Sequence, residues 1–167
     1  MATPILLPLT ENERAMMDGY THWCQFTHND LTQAAINTAQ VFTVYTSVAD
    51  DQIRRFAFIL AEPFQNTADA AYNSTAARAG VTGTDNAFIT ATEFNKNGTT
   101  LYHAYSTGAG LPADYTAATA TQFLVTFASM AGKALVNLNR GRLIVLAQLF
   151  HPDKLMKLPV TFSEFGP

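Results

Sequence analysis

Three residues at the start of the chain, His22, Cys24 and His28, have side chains that could ligate a metal or support nucleophilic chemistry. Within Tyr20–His28 the even positions share one parity, so all three would project from one face of a strand. Zinc usually requires four convergent ligands with tight local pairs. Here there is one thiolate, and the other histidines, His103 and His151, lie far away in sequence. A cysteine–histidine nucleophile needs an electropositive, partly exposed thiolate, and no fixed cation neighbours Cys24 in the sequence. A lone cysteine of this kind reads more simply as a small buried hydrophobe. Paired carboxylates for glycoside hydrolysis could be drawn from Glu62, Asp69, Asp85 and Glu93, but thirteen acids always offer such pairs. Asp85-Asn86, close to Gly80 and Gly83, has oxygen ligands for calcium but too few acids, and a turn is the simpler reading. The chain is therefore expected to be non-enzymatic, with no catalytic residues, no metal site and no cofactor.

The elements that would position these groups are strands. Thr10-Glu11-Asn12-Glu13 is a capping box that starts a short helix through about residue 18, and Gly19 is a natural stop. From residue 20 onward the period is two. Strands are expected over Tyr20–His28, Gln40–Val48, Ile53–Glu62 (closed by Pro63), Ala70–Ala79, Ala87–Thr92, Thr99–Ser106, Thr119–Ser129 and Gly141–Phe150. Turns fall at Asp50-Asp51, Gly80–Gly83 and Asn97-Gly98, and Gly108–Pro112 is a loop. The expected fold class is all-β, an antiparallel β-sandwich or jelly-roll-like domain over 20–150. Tyr102, Tyr105 and Tyr115 flank the glycine-rich loop and could form a glycan-binding face.

Residues 1–19 and 151–167 read as an N-terminal arm with its short helix and a C-terminal arm. Pro4 and Pro8 disfavour helix, and Ile5, Leu6, Leu7 and Leu9 are apolar. The C-terminal arm carries Leu155, Met156, Leu158, Phe162 and Phe165. Those nine side chains are candidates for inter-subunit or shell contacts, where burial offsets the entropy of ordering the arms. The alternative is that both arms fold back on their own domain.

Composition narrows the function classes. The chain is 48% hydrophobic and only 14% charged, against about 25% charged in an ordinary domain. With 22 Thr and 26 Ala, its surface must be solvated largely by neutral polar groups. Intrinsic disorder is excluded, since that requires low hydrophobicity and high charge. A net charge of −3 argues against nucleic-acid binding through bulk charge. The apolar start lacks a basic region and so does not read as a signal peptide. Phe56–Ala61 and Leu143–Ala147 are far short of the roughly 18 residues of a membrane span. One cysteine cannot form an internal disulfide, so assembly in a reducing cytoplasm is expected, without nucleic acid or membrane as partners.

Several stretches carry a family resemblance. Val41–Tyr45 feeds Ile53–Leu60 and ends at Pro63-Phe64. A small-residue strand leads to Gly80–Asp85 and on to Phe88-Ile89. After Asn97-Gly98 and Tyr102 comes a Gly/Ala/Thr-rich loop, then Thr121–Phe127 and a closing strand, Gly141–Leu149, entered through a glycine. The region from Gln40 to Phe150 thus resembles small β-sandwich virion structural proteins of tailed bacteriophages, of the capsid decoration or cement type. The resemblance implies a virion location on the capsid surface, a homotrimer or similar cluster, and contact with a major capsid protein or another virion protein. It also makes Arg54, Arg55, Arg140 and Arg142 candidates for contacts with an acidic shell. A glycan-binding or host-adsorption module of a head fibre or tail is the alternative. The arms lie outside the recognised pattern.

Overall fold

The computed structural model describes residues 3–16, 19–72, 75–94, 115–128 and 132–151. Among them lie a short strand β1 (Leu7–Pro8), helix α1 (Glu11–Met16), and strands β2 (His22–Thr27), β3 (Gln40–Thr46), β4 (Gln52–Gln65), β5 (Ala76–Val81), β6 (Thr84–Glu93), β7 (Tyr115–Thr116), β8 (Gln122–Ala128) and β9 (Arg140–Phe150). Helix α1 begins at the capping box. The Thr10 N–H and hydroxyl donate to Glu13 Oε2 at 2.8 and 2.7 Å, and the Glu13 N–H returns to Thr10 Oγ1 at 3.4 Å. No helix among the described residues is long and apolar enough to cross a membrane.

The strands form two antiparallel sheets, ordered β1-β2-β9-β4-β7 and β3-β8-β5-β6. Pairing is nested: β2 with β9, β3 with β8, β4 with β7 and β5 with β6. The first strand of the set meets the last, and so on inward, as in a long hairpin wound over itself. This is an all-β fold of two antiparallel sheets, a sandwich.

Alternation along each strand builds the layer between the sheets. Phe26 of β2, Phe56 and Phe58 of β4, and Leu143 and Val145 of β9 face Val44 of β3 and Phe123, Val125 and Phe127 of β8, all at most 1% exposed. Aromatic rings meet at tilted and edge-on angles, with Phe26–Phe42 at 4.9 Å and Phe26–Phe127 at 5.4 Å between centroids, arrangements the ring quadrupole favours. A second cluster covers the outer side of the first sheet. There Leu9 and Tyr20 pack on Ala57 and Leu146, with Trp23, Ile59 and Ile144 beside them. The central strands β4 and β9 are thus apolar on both faces, which is why their sequences run as near-continuous hydrophobic stretches.

Three boundaries differ from the sequence reading. Strand β4 continues through Pro63, because Pro63 falls where the register with β9 shifts between Glu62 and Gln65, and a missing N–H there breaks no ladder bond. The strand expected over Ala70–Ala79 starts only at Ala76. Ahead of it, Asn66 Oδ1 accepts from the Ala68 N–H and Asp69 Oδ1 from the Ala71 N–H, both at 2.9 Å, local bonds that compete with the ladder. Gly80 lies inside β5, and a Cβ there would stand 2.1 Å from the Thr84 carbonyl oxygen. The glycine permits close backbone approach, and the turn follows at residues 82–83. The Asn97-Gly98 turn, the Thr99–Ser106 strand and the Gly108–Pro112 loop lie outside the described residues, as does the C-terminal arm from 152.

Candidate functional site

The N-terminal arm ties the two sheets together at one edge. The Leu6 N–H donates to the Val44 carbonyl of β3 at 2.8 Å, while Leu7 and Pro8 pair with Trp23 and His22 of β2. Leu6 enters the core between the sheets and Leu9 enters the outer cluster. Leu6 and Leu9 are 7% and 4% exposed, so their own domain already buries them and neither is available to a neighbouring subunit. Ile5 and Leu7 remain 54% and 50% exposed. Ile5 and Leu6, with Thr43, Val44, Tyr45 and Thr46, line a groove of about 210 Å³.

The end of β9 reaches the same neighbourhood, with the His151 ring 6.2 Å from that of Tyr45. His151, directly after β9, places Nδ1 at 2.6 Å from Asp51 Oδ1. Asp51 is 3% exposed, and its Oδ2 accepts from the Tyr45 hydroxyl at 2.9 Å and the Val48 N–H at 3.0 Å. An ionised carboxylate can only accept, so Nδ1 of His151 carries a proton. Burial pushes the Asp51 carboxyl up, but the hydrogen bonds from His151, Val48 and Tyr45, with the attraction of His151, outweigh it and hold the group below its ordinary value. Burial, then the bond to Asp51 and its charge, drive the Tyr45 phenol well above its usual value. The ring of His22 lies 6.3 Å from that of His151 and 6.4 Å from that of Tyr45, and its Nδ1 shares a 2.8 Å hydrogen bond with Thr21 Oγ1. A closed polar cluster thus pins the β3–β4 turn to the end of β9.

At the opposite end of β9, about 30 Å away at 3.3 Å per residue, lies an open polar cleft of about 520 Å³. It is lined by Thr27, His28, Asn29, Ala61, Glu62, Gly141 and Arg142. Arg142 is flanked across the sheet by Thr27 and Glu62, yet Glu62 pairs with Arg140, Nε to Oε1 at 3.4 Å. Gly141 has φ +137°, and a Cβ there would stand 2.3 Å from the Phe64 ring.

The side chains singled out in the sequence do not converge. His22 opens β2 and Cys24 is buried within it, whereas His28 lies beyond its end in a 3-10 turn over His28–Asp30, so the expected strand to His28 stops one residue short. Burial pushes its thiol up to about 12, the reverse of what a nucleophile needs. No group of three or more metal-ligating side chains comes together among the described residues. Asp85 is bound by Arg78 at 2.7 Å, Asp69 by Lys133, and Glu62 by Arg140. Arg54 stacks over the Phe150 ring, 4.9 Å from its centroid. Tyr115 packs on Phe88 and Phe123, while Tyr102 and Tyr105 lie outside the described residues, as do Leu155, Met156, Leu158, Phe162 and Phe165. The Asp51 cluster escaped the sequence reading, in which Asp51 was simply half of a turn. Its partner lies 100 positions away, and no local pattern couples them.

No protein-family model matches the chain, and no curated protein matches it. Among solved structures it is similar to a chain of the cyanophage Pam1 capsid asymmetric unit, with a TM-score of 0.52 and 15% identity over 75% of this chain and 79% of that one. It also matches a chain of the acidic stable capsid structure of Helicobacter pylori bacteriophage KHP30, with a TM-score of 0.48 and 13% identity over 76% of this chain and 83% of that one. The Pam1 likeness is one of fold.

Proposed function

We propose that the chain is a non-enzymatic structural protein of a bacteriophage particle, of the capsid decoration or cement type. The observation that carries this reading is the nested two-sheet fold, shared at the level of fold with a chain of a phage capsid asymmetric unit. Fold alone does not define function, and two features of the chain add support. Among the described residues its chemistry-bearing side chains do not converge, and its arm presents Ile5 and Leu7 outward from a well-anchored backbone. In this reading the protein sits on the outer capsid, assembled in the host cytoplasm. It forms a homotrimer or similar closed cluster and bridges neighbouring shell subunits, and the added buried interface raises the cost of pulling them apart. Major capsid protein or another virion protein is the partner, with no role for nucleic acid, membrane or cofactor.

The deciding experiment compares particles with and without this protein under heat and osmotic shock. Loss of integrity without it supports the cement role, and unchanged fragility refutes it. Light scattering of the full-length chain tests the cluster, which a strict monomer would rule out.

A further inference from the structure

We propose that the cleft at the start of β9 is a docking site for a carboxylate side chain of a partner protein, anchored by Arg142. Arg142 is exposed in a concavity. Among the described residues no carboxylate lies within ion-pair distance of its guanidinium, whereas Arg78, Lys133 and Arg140 each have one. The register makes this unexpected, because Glu62 is its direct cross-strand neighbour. Register shifts on both sides of Glu62 re-aim that strand, and its carboxylate is taken by Arg140. Among the described residues the guanidinium is thus left beside a cavity with no carboxylate on its planar fork, the geometry that suits two parallel bonds to one carboxylate.

The rest of the cleft fits a singly charged, planar group. Asn29 and His28 also line it, and both residue types carry further side-chain donors. Thr27 does not, because its N–H and hydroxyl both point at Asp30 Oδ2, at 2.7 and 2.9 Å. Glu62 on the wall and Asp30 beside it would repel a phosphate dianion more strongly than a carboxylate. Gly141 on the cleft wall packs so closely on Phe64 that a Cβ would stand 2.3 Å from its ring, a tightly packed support that limits the order lost on binding. This chemistry does not depend on the particle reading.

The test is a chemical-shift titration of the full-length protein with N-acetylglutamate methylamide, using the glutamine analogue and inorganic phosphate as controls. Saturable shifts are expected at the Arg142 Nε–H, the Gly141 amide and the Asn29 side chain. Half-saturation on the order of 10–100 mM is expected for one charge-assisted contact. The glutamine analogue should give none, and Arg142→Gln should weaken binding about tenfold while Arg54→Gln leaves it unchanged. Equal shifts with the glutamine analogue, tighter binding of phosphate, or full binding by Arg142→Gln would each overturn the site. Should Arg142→Gln fold poorly, Arg142→Lys decides, because it keeps the charge and loses the fork. Weaker binding then supports the site and unchanged binding overturns it. A flat titration removes the docking site and leaves the particle-fragility result standing.

Discussion

At its C-terminal end β9 delivers His151 to a carboxylate that is 3% exposed and already holds a phenol and a backbone amide. At its N-terminal end it delivers Arg142 to an open cleft whose carboxylate is turned to another arginine. The same strand therefore supports two kinds of polar chemistry. A buried donor or acceptor left unsatisfied costs about 1–3 kcal/mol, and in the cluster around Asp51 both carboxylate oxygens have partners. Where groups are wet, a charge can stay unpaired at little cost, and that surplus is what a partner can use. The first arrangement pins the end of β9 to the β3–β4 turn, and the second is available for recognition.

The largest test of this contrast is Gly141→Ala. Its φ of +137° and the Phe64 ring 2.3 Å from any Cβ combine backbone strain with overpacking, so a loss of about 3–5 kcal/mol is expected in chemical denaturation. A loss below 1 kcal/mol would show that the support of the cleft wall is soft. Next comes Asp51→Ala, which strands the Tyr45 hydroxyl, the Val48 N–H and His151, and should cost about 2–4 kcal/mol. An effect as small as that of a surface substitution would mean that water reaches the cluster.

Acid titration sharpens the same comparison. The folded-state pKa of Asp51 is depressed. Its stabilising contribution is therefore complete above the unfolded carboxylate value of about 3.9 and is lost as pH falls through the folded value. The stability gap between wild type and Asp51→Asn should be flat near neutrality and close progressively below about pH 4. The smallest effects on folding are expected from Arg142→Gln and from Ile5→Ser with Leu7→Ser, each within about 0.5 kcal/mol. Light scattering should nonetheless show fewer clusters for the arm variant. If clustering is unchanged, Ile5 and Leu7 are not the contact surface. Removal of the whole arm would be a poorer experiment, because Leu6 and Leu9 are part of the domain's own packing.

Much of the fold is legible along the chain. The strand expected over Gln40–Val48 is observed over Gln40–Thr46, and that over Gly141–Phe150 over Arg140–Phe150. The Thr10–Glu13 box caps a helix as its spacing requires. These features depend on neighbours a few residues apart, so periodicity and side-chain type suffice to read them. The terminal arm was only half legible. Four consecutive-looking apolar residues gave no sign that Leu6 and Leu9 would be buried on opposite sides of one sheet while Ile5 and Leu7 stayed exposed.

What the amino-acid sequence alone determined is the all-β class, the short capped helix, and a low charge content of 14%. What only the tertiary structure decided is which polar groups meet. Pairing of β4 with β9 brings Asp51 to His151 across 100 residues and sets Glu62 beside Arg142, and the bulges in β4 then hand Glu62 to Arg140. Local propensity acts over a turn or a strand. The partner of a charge is chosen by strand register and burial, which exist only once the sheets have closed.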